Sequence, residues 1–392
     1  MSRIRHKLWK KAFNLKTLFY VILLIVIVVS IQQYLLPEAI FFGKSYPHYN
    51  NFLIFKHSFK LLLENTNLYA FYPDEYGDLF KYSPTFALSM GFFYYLPDWL
   101  GLIFWNILNV SILFFGIKSL PNIDDRSKVF IILFVLLELI GNIQNEQSNA
   151  LMCGLIVLSF VFFERKNLLL ATLFIALSIY IKLFGLVAVA LFILYPNRFR
   201  FIAYLGFWLL VLWTVPLLII SPTDLFEQYN NWIELLKTDH ASLYGFSVYG
   251  ILQKWFGLEP SKWIVSIVGI LLFSSVYIRK DLFKDTTFRF LMLASILMWV
   301  NLFNHIAESS GYILSMTGIG IWYFLQKKSR INNSLIIFAF VFVSLIYSDI
   351  TPAYYRLNFL LPYYVKTIPA IFIWLRVLYE MLFKKYHIKA TT

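Results

Sequence analysis

Apolar runs of roughly bilayer length, cut by short tufts of lysine and arginine, recur along this chain from residue 18 to residue 383. A helix needs about 20 such residues to cross a hydrocarbon core. Backbone in lipid must also satisfy its own hydrogen bonds, which favours helices. Of 392 residues, 60 % are apolar and 14 % charged, against about 45–50 % and about 25 % in ordinary soluble proteins. A soluble particle of this size has too little interior for that surface. A disordered chain has the opposite composition.

The pattern predicts an all-α polytopic membrane protein, one integral domain over 1–392. Twelve spans are expected, at 18–36, 99–118, 129–143, 149–164, 167–181, 184–196, 201–220, 263–278, 289–304, 309–326, 334–348 and 365–383. The apolar stretch 84–97, bounded by Pro84 and Pro97, is too short and reads as a re-entrant or surface-lying helix. Val21–Val29 continues in both directions without a small-residue cleavage site, so it reads as an anchor. The single cysteine, Cys153, excludes intrachain disulfides and thiolate metal clusters.

Net charge is +13, and its distribution favours membrane orientation over nucleic-acid binding. With the N-terminus cytoplasmic, this layout puts 24 of the 34 Lys and Arg on the cytoplasmic side. The acidic residues fall the other way, 14 outside and 6 inside, with Glu138 mid-span. Both termini are then cytoplasmic, and two long segments, 37–98 and 221–262, lie outside. Their mixed aromatic and polar composition suits chain folded down onto the bundle. Most of the 41 Phe and 26 Tyr read as lipid-facing surface and interface belt.

Polar groups near the outer ends of the spans need a reason, because they are costly there. The first set is His48, Asn50, Asn51, Lys56, His57, Asp74, Glu75, Asp78 and Lys81. The second is the turn Gln144-Asn-Glu-Gln-Ser-Asn149; Lys182 follows between two apolar runs, and Asn304, His305 and Glu308 share a later turn. A solvated hairpin is the plain alternative for 144–149, and snorkelling is the alternative for Lys182. Glu138 reads as a helix-to-helix hydrogen bond. Taken together, carboxylates, an imidazole and a lysine facing outward suit sugar transfer from a lipid phosphate. A carboxylate takes the acceptor proton, and a lysine holds the phosphate. The sequence carries no Gly-rich phosphate loop, no outer Asp-x-Asp and no His-Glu-x-x-His. No metal and no cofactor is expected.

Asn51-Phe-Leu-Ile-Phe55, Leu68-Tyr69, Lys81-Tyr-Ser-Pro-Thr-Phe-Ala87 and Leu96-Pro97 follow one another in order. Leu102-Ile-Phe-Trp-Asn-Ile-Leu-Asn109, Gln147-Ser-Asn149, Ala176-Leu-Ser-Ile-Tyr-Ile-Lys-Leu183 and Asn304-His305 come next. Over roughly 45–310 this resembles the polyprenol-phosphate-mannose-dependent mannosyltransferases of glycosyltransferase family 87. The resemblance implies a GT-C-like bundle whose large first outer loop carries short helices and the catalytic acid. It also implies a polyprenyl-phosphate sugar donor, a hydroxyl acceptor on a lipid-linked or cell-envelope glycan, and inversion. His305 and Lys182 match family residues; Asn51 stands where the family has its aspartate base, and an amide cannot take that role.

Three explanations stay open: a base moved to Asp78, Asp74, Glu146 or Glu308; a shifted register; or a silent lipid-sugar-binding partner. Glu146 and Asp78 lead, with Lys182, Lys81, Gln147, Asn149, Tyr82 and Glu308 as candidate substrate-binding residues. A lipid or sugar transporter or flippase is the alternative function. The implied partners are the bilayer, the lipid-linked sugar and the glycan acceptor, with no nucleic acid. The implied location is the cell membrane, with the site facing the exterior.

Overall fold

The computed structural model describes residues 14–41, 43–238 and 244–384. The basic residues from Arg3 to Lys11, with Asp239, His240, Lys385 and Lys389, lie outside the described residues. Among the described residues the only strands form one small antiparallel hairpin, Ala39–Phe41 with Lys44–Tyr46, Ile40 opposite Ser45. The rest of the regular structure is helical. Helices begin where a short polar side chain can take the first free N–H groups. Asn14 accepts from the Thr17 N–H at 2.8 Å, and Asp285 from the Phe288 N–H at 2.9 Å. Ser83 accepts from the Phe86 N–H at 3.1 Å, with Pro84 at the first helical position.

Among the described residues, four helices are long and apolar enough to cross a membrane: Leu15–Leu35, Asp98–Ser119, Arg198–Leu218 and Arg330–Tyr347. A fifth arises if Asp125–Phe134 and Leu136–Gln144, bent by 47° at Val135, are one span. Asn149–Glu164, Leu168–Ile181, Leu183–Leu194, Lys262–Ile278 and Thr286–Leu302 are apolar but shorter. Among the described residues this all-helical membrane protein has four to five full-length apolar spans. The stretch 84–97 holds two short helices, Pro84–Ser89 and Gly91–Tyr94, neither long enough to cross.

The chain divides into two compact units. The first comprises Met1–Ser119, Ile140–Leu186 and Phe199–His240. It contains α1 (Leu15–Leu35), α2 (Asn50–Leu63) and α3 (Asp98–Ser119), and most of α4 (Leu136–Gln144). It also contains α5 (Asn149–Glu164), α6 (Leu168–Ile181) and α7 (Pro222–Thr238). Between apolar helices in lipid, close approach depends on small residues. Gly154 of α5 supplies one: a Cβ there would lie 2.6 Å from the α3 backbone at Ile112 and Leu113.

Phe52 and Phe55 of α2, Phe80, Tyr82 and Phe86 of the following segment, and Trp105 of α3 are all buried. The Tyr82 and Phe86 rings stack at 4.5 Å, and Phe55 meets the Tyr82 and Trp105 rings edge-on. In this segment the aromatic residues build a protein core instead of a lipid face.

The second unit comprises Leu120–Leu139, Val187–Arg198 and Ala241–Thr392. Its main helices are α8 (Thr286–Leu302), α9 (Tyr312–Leu325) and α10 (Thr367–Phe383). Gly318 of α9 lets the α8 backbone approach, since a Cβ would meet the Ala294 carbonyl at 2.7 Å. Trp374 of α10 donates to Ser295 of α8 at 3.0 Å. Glu138 pairs with Lys366 at 2.8 Å and accepts from Ser344 at 3.0 Å, the helix-to-helix bond expected of it.

Candidate functional site

In the first unit, four elements converge on the turn between α4 and α5. The turn ends α4 in a left-handed helix stop: the Gln147 N–H returns to the Asn142 carbonyl and the Glu146 N–H to the Ile143 carbonyl, both at 3.2 Å. Such a stop needs one residue at positive φ, usually glycine. Here that residue is Glu146, at φ 48°.

Side chains from α2, α3 and the end of α6 hold this turn. Asn51, second residue of α2, donates its amide to the Asn145 carbonyl at 3.0 Å. Trp105 of α3 donates its indole N–H to the Glu146 carbonyl at 2.8 Å. Lys182 caps α6 with extended backbone, φ −143° and ψ 130°, which sends its side chain out of the helical path. Its ammonium meets Asn149 Oδ1 at 2.8 Å and Gln147 Oε1 at 3.5 Å. It also lies 5.6 Å from the ring centroids of Tyr82 and Phe184. Tyr82 completes the ring of contacts, its hydroxyl 3.3 Å from the Ser148 hydroxyl.

The electrostatics of this cluster are unusual. No carboxylate pairs with Lys182 among the described residues; neutral amide oxygens and aromatic faces surround it. A cation in such a setting can pair with an anion. The Glu146 carboxyl is close in sequence but makes no hydrogen bond to Lys182. It is 0 % exposed, and neither oxygen has a hydrogen-bond partner among the described residues. Burial pushes its pKa well above the usual glutamate range.

Asp78 contrasts with it. It is exposed, and its Oδ1 accepts from the Leu79 N–H at 2.7 Å. Its neighbour Gly77 donates to Asn50 Oδ1 at 2.9 Å, which pins this stretch beside the start of α2. Glu75 ties the same loop further along α2, meeting Lys60 at 2.8 Å and His57 at 3.0 Å. Asp74 pairs with Lys44, and Lys56 with Asp98. Lys81 is half-buried next to Tyr82, and its carbonyl accepts from the Trp232 indole at 3.2 Å.

Thus Asn51, Tyr82, Gln147, Asn149 and Lys182 meet around one turn, with Asp78 held near the start of α2. His305 and Glu308 belong to the second unit. There the His305 carbonyl accepts from the Gly245 N–H at 2.8 Å, and its ring stands edge-on to Tyr249. Glu308 is exposed and accepts from the Ser310 hydroxyl at 3.1 Å. Sequence reasoning quoted the stretch that holds Trp105 but gave that indole no role in supporting the turn. Trp105 lies in an apolar run, where indoles are common and nothing marks one as a donor to a distant carbonyl.

The glycosyltransferase family 87 model matches residues 80–302, more than half of the chain. The match includes Lys81, Tyr82, Glu146, Gln147, Asn149 and Lys182, while Asn51, Asp78, His305 and Glu308 fall outside it. No curated protein matches the chain. A membrane bundle whose polar turn surrounds an unneutralised lysine, inside a matched region of that extent, places this chain in glycosyltransferase family 87.

Proposed function

We propose that the protein transfers a mannose-like hexose from a polyprenyl-phosphate sugar to a hydroxyl of a lipid-linked or cell-envelope glycan, with inversion. The observation that carries this reading is the setting of Lys182. An ammonium with no carboxylate partner among the described residues, between two amide oxygens and two ring faces, suits the phosphate of a lipid-linked donor. The acceptor oxygen attacks the anomeric carbon, the bond from that carbon to the phosphate oxygen breaks, and polyprenyl phosphate leaves. The acceptor proton goes to Asp78.

Asp78 is preferred over Glu146 as base because it is exposed to an arriving hydroxyl, whereas the Glu146 carboxyl is sealed. Asn51 then fixes the turn. The reading uses the first unit alone. A cell-membrane location, cytoplasmic termini, an exterior site and the twelve-span layout belong to the same proposal. Their support is the concentration of lysine and arginine on one side of that layout.

The test is transfer by purified protein from synthetic polyprenyl-phosphate mannose to a panel of lipid-linked glycans. Wild type is expected to transfer, and Asp78→Asn to lose about 10²–10⁴-fold in kcat. Lys182→Met is expected to raise the donor KM. Absence of transfer from every polyprenyl-phosphate sugar tried overturns the reading. Full activity in Asp78→Asn removes the base.

A further inference from the structure

Glu146 occupies a position that stability alone would not choose. Its backbone sits at φ 48°, where glycine is favoured. Its carboxyl is buried without a hydrogen-bond partner among the described residues, which is costly for any polar group. Glu138, by contrast, is fully answered within its own unit. Two independent costs at one residue, in the turn that surrounds the unneutralised lysine, point to a partner that arrives from outside.

The ties on that turn show how the partner would reach it. Asn51 and Trp105 hold its backbone, and Lys182 holds Gln147 and Asn149. The Lys182 tie joins an ammonium to neutral amide oxygens. A phosphate oxygen makes the stronger, charge-assisted bond and competes for the same ammonium. Once Lys182 turns to phosphate, the turn loses that tie to the end of α6.

We propose that Glu146 is the hydrogen-bond partner of a hydroxyl on the donor sugar, uncovered when the donor phosphate draws Lys182 away from Gln147 and Asn149. This rests on the polyprenyl-phosphate donor proposed above. A sugar hydroxyl both donates and accepts, so it satisfies the carboxyl in either protonation state. A site built to bind a hydroxyl rejects the analogue that lacks it, because the buried group is then left unmet.

The experiment uses purified protein in lipid nanodiscs, polyprenyl-phosphate mannose, and analogues each missing one sugar hydroxyl. Wild type is expected to discriminate against one analogue by about ten- to hundredfold in kcat/KM. Glu146→Met is expected to shrink that ratio to about twofold while its melting temperature rises, because an unmet buried carboxyl has been removed. Glu146→Gln, which keeps donor and acceptor atoms, is expected to retain part of the discrimination. An unchanged ratio in both variants overturns the proposal, as does a lower melting temperature in both.

Donor-induced stabilisation of the same proteins reads the ratio independently of turnover. Stabilisation with the expected ratios but no transfer removes the catalytic reading and leaves the Glu146 role standing. Transfer with unchanged ratios does the reverse. No stabilisation by any of these donors overturns the Glu146 role together with its donor.

Discussion

Glu138, in the first turn of α4, and Glu146, two residues past its end, are both buried. Glu138, 5 % exposed, meets Lys366, itself 4 % exposed, and the Ser344 hydroxyl. Lys366 in turn reaches the Ser309 hydroxyl and lies over the Tyr312 and Tyr347 rings. Neither Glu146 carboxyl oxygen has a hydrogen-bond partner among the described residues. Burial is therefore not what separates these two acids. What separates them is whether the fold supplies the answering charge.

The sharpest way to break this contrast is at Glu138. Glu138→Leu leaves Lys366 buried without its carboxylate, and stability should fall by about 3–5 kcal/mol. Adding Lys366→Met should restore most of it, because an apolar pair of similar volume replaces a buried ion pair at little cost. Thermal melts of both variants check this. A single variant as stable as wild type would show the pair to be dispensable and the contrast empty.

At Glu146 the effect is smaller and depends on pH. The fold holds this carboxyl's pKa above its unfolded value. Its proton therefore binds more tightly in the native state. The stability linked to this group is full below the ordinary glutamate range and is lost as pH rises toward the raised native value. Glu146→Gln removes that slope and should be the more stable protein near neutral pH, where wild type must hold a proton that its unfolded chain releases. Denaturation across a pH series compares the two proteins. Parallel curves would mean that Glu146 finds a partner in solution.

The smallest expected effect is at Asn51. Asn51→Ala deletes one amide donor to the Asn145 carbonyl, worth about 1 kcal/mol. The turn should then exchange its amide protons faster while the rest of the first unit stays protected. Unchanged exchange at 145–148 would show that Trp105 and Lys182 hold the turn without it.

The helical membrane class was legible because lipid imposes a length and a composition on any span. The polar turn 144–149, Lys182 and Asn51 could also be singled out, since polar groups stand out against apolar runs. Their convergence could not: Lys182 and Asn149 lie on different helices, and sequence does not specify which helix ends meet. Nor could it distinguish an inward aromatic from an outward one. Phe52, Tyr82 and Trp105 became core because α2 and the segment after it fold onto α3. The short helices at 84–97 were readable from Pro84 and Pro97, which limit any helix between them.

By itself, the sequence determined that this chain lives in lipid, because apolar runs and scarce charge exclude water as its main solvent. It also singled out the polar groups that stand against the apolar runs. Only the tertiary structure decided which buried acid is answered and which waits. Hydrogen bonds and ion pairs act over about 3 Å, and that proximity is set by packing between helices distant in the chain.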